Sequence, residues 1–188
     1  GGLIAARCSP FGLGSDGLGS VRIPAAYNGL VGFKPTRGRF TARGHSKIGP
    51  YAYGKFSVIN EGMGPLARSV DDCILFFKGL LSEKNRTYDP SIPVIPWNQE
   101  KFELPKKMKI AYVVSEDLIG VTKSAKRAVL ETVEAFKKEG HEVVQVTIPN
   151  FEQMIGLTIR VMSSDGKSRG ATIVREGEDP IPELKAGV

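Results

Sequence analysis

Hydrophobic and polar positions divide the chain into a punctuated first third and a periodic remainder. Glycine breaks up the apolar runs early: 14 of the 22 glycines lie in residues 1–64 and 8 in the other 124. That region is expected to be loop-rich, with backbone at positive φ or in close approach to something else. From Pro65 the texture changes. Ser69 and Asp72 have capping-box spacing, with Asp in place of the usual Glu or Gln, ahead of the apolar "CILFFKGLL". This predicts a helix over 70–81, apolar all round and therefore buried. Residues 82–106, which include "SEKNRTYDPSIPVIPWNQEKFELP" (82–105), carry four prolines and no period, and read as an extended connection lying along the body. "KIAYVV" (109–114) reads as a buried strand. From Thr122 to Glu139 a stripe of Ala125, Val129, Val133 and Phe136 predicts a helix, stopped by Gly140. "EVVQVTI" (142–148) alternates as a second strand. Strand, helix and strand with short joints predict a parallel βαβ unit with a right-handed crossover. Residues 151–162 start a further helix. The tail "REGEDPIPELKAGV" shows no period.

Composition narrows the class. The 188 residues are 41% hydrophobic and 24% charged, ordinary globular material. No run approaches the roughly 18 apolar residues of a membrane-spanning helix. No signal sequence opens the chain, and Gly1 in place of Met leads us to expect an internal fragment. Cys8 and Cys73 lack CxxC spacing, which argues against a disulfide or zinc site and for a reduced intracellular protein. The net charge of +6 is spread over lysines and arginines interleaved with acids. Such a solvated face disfavours nucleic acid as a partner and leaves a weak attraction to anionic membrane surfaces.

Three chemistries compete for "GLGSDGLGS". Gly12, Gly14 and Gly17 satisfy G-x-G-x-x-G, but a dinucleotide site needs a strand before it, a helix after it and an acid about 20 residues on. "RCSPF" does not read as a strand, Pro24 and Gly29 block a long helix, and no acid lies between Asp16 and Glu61. The Walker ending is absent. A purely structural glycine turn is the second reading. The third is a nucleophile on a tight turn: in "DGLGS" four consecutive backbone N–H groups end on Ser20 and can converge on an oxyanion. The base is unassigned. His45 reads as a loop histidine and His141 as an exposed one, so no Ser-His-Asp triad forms, whereas a Ser-Lys variant would need a buried lysine of lowered pKa.

The stretch "SPFGLGSDGLGSVRIPAAYNGLVGFKPTRGR" resembles the amidase signature family, with residues 14–16, 19–25 and 29–36 fitting its pattern position by position. "GPLARSVDD" (64–72) is similar to that family's next recurring block. "DPSIPVIPW", the strand-helix-strand and "SSDGKSRG" (163–170) look most like its fatty acid amide hydrolases. The resemblance implies an α/β fold: a partial amidase-signature domain, its mixed β-sheet covered by helices, including the C-terminal parallel βαβ unit. All of 1–188 would be part of one amidase domain. Its parts are a glycine-rich catalytic core (1–64), a helix and extended connection (65–105), and the βαβ with the segment after it (106–188). It further implies amide hydrolysis by a Ser–cis-Ser–Lys triad with Ser20 as nucleophile. The oxyanion hole would come from the amides of Gly17, Leu18, Gly19 and Ser20. Ser15, Asp16 and Arg22 would support the loop, Asp16 and Arg22 as an ion pair. No metal or cofactor is implied. The implied substrate is a small-molecule or lipid amide. A homodimer and peripheral membrane association are compatible with the resemblance, in a cytoplasmic or membrane-surface setting inside the cell.

Two departures accompany the resemblance. The bridging serine and the lysine belong upstream of Gly1; Ser9, Lys34 and Lys47 do not occupy their positions, so the isolated chain is expected to be inactive and to fold poorly. Leu18 replaces a glycine in D-x-G-G-S. A leucine forced to positive φ would cost on the order of 1–2 kcal/mol and would crowd the oxyanion. The competing readings are an amidase or amidotransferase subunit for small polar amides, and a non-catalytic scaffold.

Overall fold

The computed structural model describes residues 1–41, 62–81, 87–90, 92–93, 95–103, 107–114 and 120–162. His45, Lys47, "SSDGKSRG" and the C-terminal tail lie outside these. Two compact units form, the first running to Trp97 and the second beginning at Asn98.

The first unit opens with a single turn of helix, α1 (Gly2–Ala5). Strand β1 (Phe11–Asp16) follows, then helix α2 (Arg22–Tyr27), and β2 (Val31–Gly32). Strand β3 (Gly62–Ala67) leads into helix α3 (Val70–Leu80). The strands form an antiparallel sheet in the order β1-β3-β2, with Asp16 opposite Gly62 and Val31 opposite Ala67. The glycine motif is therefore mostly strand: the chain is extended through "GLGSD" itself rather than before it, and a six-residue helix follows. Central β3 is buried at every position. Gly64 shows why glycine recurs there, because a Cβ at that position would run into the Phe33 carbonyl.

The core of this unit packs Phe40, Met63, Ala67, Cys73 and Phe77 together, with Val31, Leu80 and Trp97 against them. Phe40 stacks on Phe77 at 5.2 Å between ring centroids. Helix α3 starts as its sequence dictates, the Ser69 hydroxyl accepting from the Asp72 amide at 3.1 Å. It is not buried all round. Cys73 and Phe77 face the core, while Leu75 is 72% exposed, because among the described residues only one side of the helix meets the sheet. Cys8 is exposed and Cys73 buried, both as free thiols.

The second unit holds a short helix α4 (Gln99–Phe102), strand β4 (Lys109–Tyr112), helix α5 (Lys123–Lys138), strand β5 (Glu142–Gln145) and helix α6 (Phe151–Met162). Strands β4 and β5 pair in parallel, Lys109 opposite Glu142 and Tyr112 opposite Gln145, on either side of α5. The Thr122 hydroxyl caps α5 by accepting from the Ala125 amide at 3.3 Å, and Gly140 ends it at φ 83°. Strand β4 alternates exposed and half-buried positions instead of being buried throughout. No helix among the described residues is long and apolar enough to cross a membrane.

Candidate functional site

Strand β1 ends on Asp16, whose side chain is fully buried, and the chain then turns through Gly17, Leu18, Gly19 and Ser20 into α2. A carboxylate has no place in an apolar interior unless its lone pairs are satisfied. Here five donors converge on it. Oδ1 accepts from the Gly19 amide at 2.7 Å and from Arg22 Nη2 at 3.1 Å. Oδ2 accepts from Arg22 Nε at 2.9 Å and from the Val21 and Arg22 amides, each at 3.3 Å. The bidentate Arg22 guanidinium holds the Asp16 carboxyl well below the usual carboxylate range; burial opposes this, and the three amides reinforce it. The same pairing pushes Arg22 up.

One residue of the turn must be glycine. Gly19 adopts φ 124°, and a Cβ there would lie 2.7 Å from Ile23 Cδ1. Leu18, by contrast, does not have positive φ and is 63% exposed, so the strain expected of a leucine in this motif is absent. Ser20 is exposed between buried Gly19 and fully buried Val21. Val21 fixes the turn from below: with Ile4, Ala25 and Leu66 it forms a second apolar cluster. The sequence signal for this role of Val21 is its place in the matched motif, within residues 19–25.

The backbone amides divide by task. Gly19 donates to Asp16, whereas the N–H groups of Gly17, Leu18 and Ser20 have no hydrogen-bond partner among the described residues. Of the residues singled out from sequence, Asp16, Gly19 and Arg22 thus come together around the serine. Ser15 is half-buried on β1 opposite Met63, and its hydroxyl, like that of Ser20, makes no hydrogen bond among the described residues. Ser9 is held locally, donating to the Phe11 carbonyl at 2.6 Å, and Lys34 donates to the Pro35 carbonyl at 3.2 Å. Arg68 had not been singled out. It donates to the Ser9 and Ile4 carbonyls at 3.0 and 3.5 Å, tying the segment before β1 to the end of β3.

His141 belongs to the second unit and is not the exposed residue that its position suggested. Its side chain is 9% exposed, and its Nδ1 accepts from the Met108 amide at 3.2 Å. Among the described residues no group of three or more His, Cys, Asp or Glu is placed to hold a metal ion.

The turn thus sets an exposed serine close in the chain to a buried, arginine-clamped aspartate. The family model described as Amidase matches residues 1–182. The vitamin D3 hydroxylase-associated protein of Gallus gallus is 37% identical over 187 residues, 99% of this chain and 39% of that protein. Fatty-acid amide hydrolase 1 of Sus scrofa is 33% identical over 170 residues, 90% of this chain and 29% of that protein. A solved fatty acid amide hydrolase matches with a TM-score of 0.75 at 25% identity, covering 97% of this chain and 32% of that one. The chain therefore spans well under half the length of the curated relatives it matches. With the family model matching nearly all of its residues, the chain belongs to the amidase signature family.

Proposed function

We propose that these residues form the nucleophile-bearing part of a single serine amidase domain that cleaves carbon–nitrogen bonds in amides, fatty acid amides foremost. One observation carries the reading: Ser20 stands exposed on a turn whose flanks, Asp16, Gly19 and Val21, are buried and locked. A serine hydroxyl is a weak nucleophile unless a base takes its proton as it attacks, and such assistance is typically worth ~10²–10⁴-fold. The family resemblance assigns that base to a lysine acting through a second serine, in the complete protein outside these 188 residues. The isolated chain is accordingly expected to be inactive.

In the reaction, Ser20 Oγ bonds to the amide carbon, its proton passes to the base, and the carbonyl electron pair moves onto oxygen. The open amides of Gly17, Leu18 and Ser20 are the groups to receive that oxyanion, each donor being worth ~10²–10³ in rate where its loss has been measured in other hydrolases. Gly19, whose amide already serves Asp16, shapes the hole by its backbone conformation. Collapse expels the amine, which takes the proton, and water then hydrolyses the ester on Ser20. The names of the relatives support fatty acid amides as the substrate class.

Fluorophosphonate labelling of the complete protein tests the assignment. Labelling that vanishes in Ser20→Ala is the expected result. Labelling that survives the substitution, or a folded protein that never labels, refutes it.

A further inference from the structure

The serine-amidase reading leaves open what the Leu18 side chain does, since none of the described residues buries it. It is neither buried nor held at positive φ, and two residues later the chain presents Ser20 to solvent. Its own N–H, however, is one of the three open donors of the turn. Bond geometry then constrains what lies beside it. An oxygen accepting that N–H at about 2.9 Å is within about 5 Å of Leu18 Cβ, because N and Cβ share one Cα. A carbonyl held there has substituents that the isobutyl group, extending from Cβ, reaches when its rotamer turns toward them.

From this placement we infer that Leu18 is a specificity-determining residue: its exposed side chain forms an apolar lip that favours amides with apolar groups flanking the carbonyl. The inference rests on the oxyanion assignment of the Leu18 amide. An exposed leucine gains by covering its surface with a substrate chain, and a small polar amide leaves that surface wet. Pocket contacts of this size change discrimination by roughly tenfold or more.

The test separates this inference from the nucleophile assignment. Affinities for N-hexylhexanamide and for acetamide are measured calorimetrically on the complete protein in a Ser20→Ala background, where neither amide is turned over. Leu18→Gly removes the lip; Leu18→Asn keeps its branched shape and its Cβ but makes it polar. Both substitutions are expected to lower the ratio of the two affinities by about tenfold in favour of acetamide. An unchanged ratio, equal losses for both amides, a ratio that moves in Leu18→Gly alone, or a Ser20→Ala protein that does not bind N-hexylhexanamide each overturns the lip. Failure of Ser20 as nucleophile would appear separately, in the fluorophosphonate labelling.

Discussion

Asp16→Asn isolates the charge in the turn from its shape. The native carboxylate offers two acceptors, Oδ1 serving Gly19 and Arg22 and Oδ2 serving Arg22 and the amides of Val21 and Arg22. Asparagine keeps one acceptor and turns the other into a donor that faces donors. With its oxygen in the Oδ2 place, the Gly19 amide and Arg22 Nη2 lose their partner; with the oxygen in the Oδ1 place, three bonds are lost. A neutral hydrogen bond is worth about 1 kcal/mol and one to a charged group about 1.5–3 kcal/mol. Arg22 is 54% exposed, so solvent screening puts its share at the low end. The loss comes to about 3 kcal/mol, or roughly a 10²-fold change in the opening equilibrium of the turn. Hydrogen exchange of the Gly19, Val21 and Arg22 amides in the complete protein measures it, and exchange should accelerate by about that factor. Native exchange at all three amides would refute the clamp. The pH dependence carries a sign. The Asp16 pKa is depressed in the folded state, chiefly by the Arg22 hydrogen bonds, so its contribution is present above the unfolded-state value and lost as pH falls through the folded one. The difference between native and Asp16→Asn protein should stay flat from about pH 8 to 5 and narrow below about pH 4.

The remaining predictions concern the frame. Gly64→Ala forces a Cβ against the Phe33 carbonyl in the central strand and should cost about 3 kcal/mol or more, read as a lowered midpoint of urea unfolding. Ser69→Ala removes the cap of α3 and should cost about 1 kcal/mol in the same measurement, with Ser69→Asp recovering most of it. His141→Ala leaves the Met108 amide without its acceptor at the start of the parallel pair, so exchange of that amide should accelerate while exchange in the Asp16 turn stays native.

What was legible in the sequence follows from which forces were local. Helices α3 and α5 announce themselves through Ser69, Thr122 and Gly140, whose capping chemistry acts within a few residues, and the parallel β4–β5 pair follows from the short joints around α5. The antiparallel sheet is hidden because its central strand is written in residues that normally end strands. In "GMGPLA", Gly62 and Gly64 weaken strand propensity and Pro65 cannot donate to the ladder. Pairing overrides propensity here. Gly64 lets Phe33 come close enough for its amide to reach the Pro65 carbonyl at 3.0 Å, and an alanine at that point would keep the strands apart. Contacts made across about thirty positions of sequence leave no periodic trace. His141 departs from its expected exposure for a partly related reason: the amide its Nδ1 accepts from lies on β4's approach, far away in sequence, while the ring that packs on it is the nearby Phe136.

At the turn, the pairing of Asp16 with Arg22 could be read from charge and spacing, but the division of labour between positions 18 and 19 could not. A motif with adjacent glycines does not say which one is needed for its backbone and which for the room it leaves. The structure separates them: Gly19 carries the positive φ and lies under Ile23, so it could not accept a side chain, while position 18 takes a leucine with no backbone strain. The glycine that the family pattern places at 18 is therefore not required by this turn, and the leucine here leaves the fold intact. Under the inference drawn above, its consequence falls on what approaches Ser20, because its side chain is 63% exposed among the described residues. A substitution inside such a motif can in this way leave the backbone unstrained and still bear on the proposed choice of substrate.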